Sequence, residues 1–130
     1  MKEVPAIGFS VRSTAPDCDF SPYEQTILDI ASLAMKKDFP RDVCLNVNFP
    51  IVEKLRGVRV CRLARGNWVE EWIGAGDADT FRLTGHFVNL EPEADDTDDW
   101  VLCHGMAAVT PLKLDMTHYP TIPLLKELES

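Results

Sequence analysis

The 130-residue sequence contains no apolar run near the roughly 20 residues a helix needs to cross a bilayer. No apolar leader follows Met1-Lys2-Glu3 either, so no membrane partner is expected. Basic residues are scarce: 13 Lys and Arg stand against 21 Asp and Glu, the net charge is −8, and no basic cluster exceeds two adjacent residues. That balance argues against polymeric nucleic acid as a partner. Cysteine is sparse and scattered (Cys18, Cys44, Cys61, Cys103), with no Cys-x-x-Cys pair, which points to a reducing, cytoplasmic setting. There is no Gly-rich phosphate loop and no Gly-x-Ser-x-Gly elbow. His86, His104 and His118 lie 18 and 14 residues apart, which is not a local metal-ligand spacing, and each reads as a surface or structural histidine. The residues alone spell out no complete active site.

What is present is a clean period-two segment. In Val43-Cys44-Leu45-Asn46-Val47-Asn48-Phe49, Val43, Leu45, Val47 and Phe49 share one face and Cys44, Asn46 and Asn48 the other, the signature of an interior strand with one apolar side. The polar face must meet polar partners or water, and Pro50 ends the pairing. Val4–Val11 is apolar on both faces, as a strand covered on two sides would be. Between the two, Ser21-Pro22-Tyr23-Glu24 has the form of a capping box and predicts a helix over Pro22–Lys37, stopped by Phe39-Pro40. Residues 4–50 are thus expected to form a right-handed βαβ unit within one domain spanning 1–130.

Residues 57–90 read as an antiparallel β-arm: a strand over Val58–Leu63, a turn, a return over Trp68–Ile73, a second turn and a strand over Thr80–Thr84. Trp68 and Trp72 sit among charges, which predicts that the arm is covered by another subunit or by the body, and makes both residues interface candidates. Glu91 to Asp99 holds six acidic residues in nine. Clustered carboxylates suit a hard cation, but the spacing does not match a calcium loop and there is no Gly for its turn, which favours a solvated, flexible acidic loop. Residues 100–114 are expected to return as a strand, and 121–129 to form a short C-terminal helix.

Four patches in order carry a resemblance: Val-Pro-Ala-Ile-Gly-Phe-Ser at 4–10; Leu-Asn-Val-Asn-Phe-Pro at 45–50 with Gly-Val-Arg-Val-Cys-Arg-Leu at 57–63; Phe-Arg-Leu-Thr-Gly at 81–85; and the segment 97–117 from Thr-Asp-Asp-Trp to Leu-Asp-Met-Thr. Together they resemble the C-terminal half of the survival protein E (SurE) family. The resemblance implies an α/β fold, the C-terminal part of a Rossmann-type three-layer body with a projecting β-arm. It also implies a divalent-metal-dependent phosphatase (Mg or Mn) acting on nucleoside 5′- and 3′-monophosphates, assembled as dimers or larger. The family's metal ligands belong to an Asp-Asp-Gly strand end, a following Ser and an Asn in a later loop. None has a counterpart here, so the chain is expected to start after them, to contain no catalytic or metal-binding residue and to be inactive alone. Met106-Ala107-Ala108 also departs from the family's usual aromatic, Val and Ser.

By the same resemblance Ser10 matches the family's Ser at the end of the Pro-Ala-Ile strand. Strand carboxyl ends are where open α/β sheets bind ligands, so Ser10 is a candidate for the rim of a phosphate site; the competing reading is a hydroxyl that bonds nearby backbone. Asp115 and His118 lie in a region the family uses for subunit exchange, which makes them a candidate cross-subunit ion pair or a solvated pair. Two functions stand: part of a nucleotidase that hydrolyses a small phosphate ester and associates with itself, or a non-catalytic assembly or binding module that retains the arm.

Overall fold

The computed structural model describes residues 5–13, 15–74, 76, 79–113 and 115–129. A four-stranded sheet forms the body, in the order β1-β2-β8-β3. β1 (Ala6–Val11) pairs in parallel with β2 (Val43–Phe49), and β2 pairs antiparallel with β8 (Ala107–Lys113), which pairs in parallel with the short edge strand β3 (Val58–Val60). Val4, expected in the first strand, lies outside the described residues.

β2 buries the side its alternation dictates. Leu45, Val47 and Phe49 pack with Ala107 and Val109 of β8 and with Tyr23 and Ile30 from the helical segment between β1 and β2. That segment is a 3-10 turn over Ser21–Tyr23 followed by α1 (Glu24–Ala34), so it stops short of the expected Lys37. The reciprocal Ser21–Glu24 capping box does not form. The Ser21 backbone N–H and hydroxyl both donate to the Asp19 carboxylate, each at 2.8 Å, because an ionised acceptor two residues upstream closes an Asx turn in preference to a neutral hydroxyl cap. Tyr23 ties α1 to the sheet: its ring stacks on Phe49 at 4.6 Å and its buried hydroxyl donates to the Pro50 carbonyl at 2.6 Å.

Residues 100–103 are not strand but part of α2 (Asp98–Cys103). Thr97, fully buried, caps it: its Oγ1 accepts from the Trp100 N–H and donates to the Ala94 carbonyl. Val101 of α2 packs with Ala108 and Cys61 on the face of the sheet opposite α1, giving helices on both faces. The small Ala108 is what lets α2 approach.

The arm is also wired differently. Val58–Val60 does not pair with Trp68–Ile73; it completes the body sheet beside β8 because its register there continues into the Cys61 N–H bond to the Val109 carbonyl. The arm is a nested ribbon instead. β4 (Gly66–Val69) pairs with β7 (His86–Asn89), and β5 (Trp72–Gly74) pairs with β6 (Phe81–Leu83). Between the two halves the ribbon bends, with Glu70 at φ 54° and Gly85 at φ 113°. A Cβ on Gly85 would stand 3.1 Å from the Val69 carbonyl oxygen, so the bend requires glycine.

The acidic loop is tied down at several carboxylates. Arg62 bonds Glu91 and, bidentately at 2.9 Å, Asp96, while the Arg65 N–H donates to Glu91 and the Ala64 N–H to Asp98. The Arg62 hydrogen bonds hold the Glu91 carboxyl below its ordinary range and raise the guanidinium's own affinity for its proton. Most of these carboxylates anchor backbone and a guanidinium.

Candidate functional site

β1 and β2 run in parallel and end together, and their register sets Ser10 directly beside Asn48. The Ser10 hydroxyl donates to Asn48 Oδ1, so Ser10 bonds a side chain and not the neighbouring backbone that the competing reading assumed. Asn48 lies opposite Ala108, which lies beside Arg59, so one row crosses the sheet at the carboxyl end of β1 and β2, polar at Ser10, Asn48 and Arg59 and interrupted by the buried Ala108. The Arg59 guanidinium sits over Trp100 at 5.3 Å and meets Asp95 at 3.4 Å, and Trp100 stacks on His104 at 3.6 Å. This face of β1 is open: Gly8 and Ser10 are exposed, whereas Ile7, Phe9 and Val11 pack toward α1.

Two residues past Ser10 on the same face, Arg12 reaches across to α2. Its Nη1 lies 3.5 Å from Asp99 Oδ1 and 3.6 Å from Cys103 Sγ, and Asn89 Nδ2 donates to the other Asp99 oxygen at 2.9 Å. Arg12 went unnoticed in the sequence. Its parity with Ser10 was the available signal, since alternate residues of a strand share a face. From Asp99 a cleft continues between α2 and the base of the arm, lined by Leu63, Ala64, Trp68, Phe87, Asp98 and Asp99.

The other candidates are dispersed. Trp68 lies on β4 at this cleft, tilted against Phe87 at 6.1 Å, whereas Trp72 belongs to the distal half of the ribbon. Asp115 accepts from the Tyr119 hydroxyl and the Thr117 N–H, which together hold its carboxyl down to about 2. His118 bonds Thr121, so Asp115 and His118 do not pair with each other within the chain. Among the described residues no group of three or more His, Cys, Asp or Glu side chains converges as metal ligands. No helix among them is long and apolar enough to cross a membrane.

Known proteins match this chain over nearly its whole length. The family profile described as Survival protein SurE matches residues 1–70. The chain is 40% identical to the 5′-nucleotidase SurE of Bacteroides fragilis over 129 residues, covering 97% of this chain and 51% of that protein. It is 43% identical to the 5′-nucleotidase SurE of Bacteroides thetaiotaomicron, covering 92% and 47%. The crystal structure of the SurE protein from Aquifex aeolicus superposes with a TM-score of 0.67 at 26% identity, over 98% of this chain and 53% of that one. The chain spans about half the length of the curated relatives it matches.

Proposed function

Because the chain belongs to the survival protein SurE family, we propose that it supplies the substrate-rim half of a phosphomonoesterase that hydrolyses nucleoside monophosphates. The observation that carries this is the Ser10–Asn48 pair at the shared carboxyl end of two parallel strands, within a chain aligned over nearly its whole length with 5′-nucleotidases. The hydroxyl gives its proton to Asn48 Oδ1, which leaves the Asn48 amide N–H groups as donors for a phosphoryl oxygen. Arg12, half exposed and only partly neutralised by Asp99, adds a fixed positive charge on the same face.

The family's divalent cation, Mg or Mn, does not fit the donors among the described residues, where no three of them converge. Asp96 and Glu91 are committed to Arg62, and Asp98 keeps one oxygen on the Ala64 N–H and has only the other open. No catalytic step is assigned to a cation here; in this proposal its ligands come from the remaining half of the relatives' length. The working enzyme associates with itself through the distal ribbon, where Trp72, Ile73, Phe81 and Leu83 are all exposed. Asp115 and His118 serve as secondary contacts. A cytoplasmic setting is supported by four free cysteines among the described residues.

The test is to join residues 5–130 behind the first half of the B. fragilis relative and assay guanosine 5′-monophosphate with manganese. Metal-dependent hydrolysis that falls at least tenfold in the Asn48→Ala variant supports the rim reading. Undiminished hydrolysis in that variant would overturn it.

A further inference from the structure

Resting on that reading, we propose that the cleft between the arm's base and α2 is a nucleobase subsite, selective for bases that present amino or imino donors, guanine above all. The aromatic floor is fixed. Phe87 lies across Gly66 so closely that a Cβ there would meet its ring at 2.3 Å, and Trp68 leans on Phe87 while remaining 60% exposed. An indole that leans on a neighbouring ring and is still largely exposed is a stacking platform, and stacking accepts any planar base.

The cleft's polar wall supplies the selectivity. Asp98 Oδ1 accepts from the Ala64 and Asp99 N–H groups, and its Oδ2 has no hydrogen-bond partner among the described residues. The Asp99 oxygens are engaged by Asn89 and Arg12. An ionised carboxylate only accepts, so the open Asp98 oxygen calls for N–H donors. Guanine offers an imino and an amino group side by side on one edge. Uracil offers a single imino group flanked by two carbonyls, which the carboxylate repels.

The cleft also opens toward the rim. Arg12 follows Ser10 by two residues, and its guanidinium lies 3.5 Å from Asp99 at the cleft's mouth. The aromatic floor and the acceptor wall therefore suit the base of a nucleoside monophosphate, and the cationic mouth its phosphate.

The test uses the 130-residue chain with guanosine 5′-monophosphate, uridine 5′-monophosphate and ribose 5-phosphate, followed by tryptophan fluorescence and calorimetry. The expected result is saturable quenching by the guanosine nucleotide, at least tenfold tighter binding than for the uridine nucleotide, and no quenching by ribose 5-phosphate. Trp68→Leu should abolish the quenching. The near-isosteric Asp98→Asn should keep it and bring the two nucleotides within about twofold. Absent quenching, equal binding of both nucleotides, or a preference intact in both variants would overturn the subsite. A joined protein that hydrolyses nucleotides without base preference would overturn the subsite alone. Base preference without hydrolysis would overturn the phosphatase reading alone.

Discussion

Replacing Tyr23 by Phe removes one oxygen atom from the junction of α1 and the sheet. That hydroxyl is buried and donates at 2.6 Å to the Pro50 carbonyl, which has no other donor among the described residues. Pro50 sits just past the end of β2, where ladder bonds have stopped. The loss is therefore not simply one bond traded for water. A buried acceptor left unsatisfied costs roughly 1–3 kcal/mol, and about 2 kcal/mol is expected here. With about 2.1 cal/mol/K of unfolding entropy per residue, that lowers the melting temperature by about 7 °C. Tyr23→Leu also removes the ring stacked on Phe49 and should cost about 4 kcal/mol. Urea unfolding followed by circular dichroism measures both. A Phe variant within about 0.5 kcal/mol of the parent, beside a strongly destabilised Leu variant, would show that the tie between helix and sheet is apolar only, refuting the role given to the hydroxyl.

Thr97→Val keeps the buried volume but deletes the cap of α2 and both Oγ1 bonds, so a loss of about 2 kcal/mol is expected in the denaturant midpoint. Changing Trp72 and Phe81 to Ser should shift the chain toward monomer by light scattering, since buried aromatic anchors contribute about 2 kcal/mol or more each; an unchanged mass would remove the distal ribbon as the contact. Acid should loosen the arm's root first. The Glu91 carboxyl is held low mainly by Arg62, so its contribution is complete above the ordinary Glu range and is lost as pH falls through the lowered value. Hydrogen exchange at Arg65 and Leu90, whose N–H groups bond there, should rise below about pH 4 relative to the same amides in Arg62→Gln, where the pH dependence should shrink to what the Arg65 N–H bond alone sustains.

β2 was legible because its alternation is strict and one face is fully buried, so Leu45, Val47 and Phe49 had one place to go. The helix before it was legible as an element, but its cap was not. Ser21 and Glu24 satisfy the local pattern, and only the proximity of Asp19 shows that a charged acceptor wins. Val58–Leu63 was assigned to the wrong partner because a short apolar run pairs equally well with a sequence neighbour or with a distant strand, and the choice of β8 is a tertiary one. Residues 100–103 resembled strand because Trp100, Val101 and Leu102 are contiguous and apolar; the buried Thr97 cap and the packing on Ala108 make them helix. At the site, Ser10 was visible through its family match, whereas Arg12, Asn89 and Asp99 come together from three separate elements.

The most direct measurement is hydrolysis of guanosine 5′-monophosphate by the 130-residue chain alone, with magnesium, manganese or zinc added in turn. The account predicts background rates with every metal, because the carboxylates present do not converge as ligands among the described residues and those nearest to one another are engaged by Arg62 and backbone N–H groups. Metal-dependent turnover by the chain alone that disappears on replacing Asp95, Asp96, Asp98 or Asp99 with Ala would contradict it, and would make the acidic segment a catalytic centre in its own right.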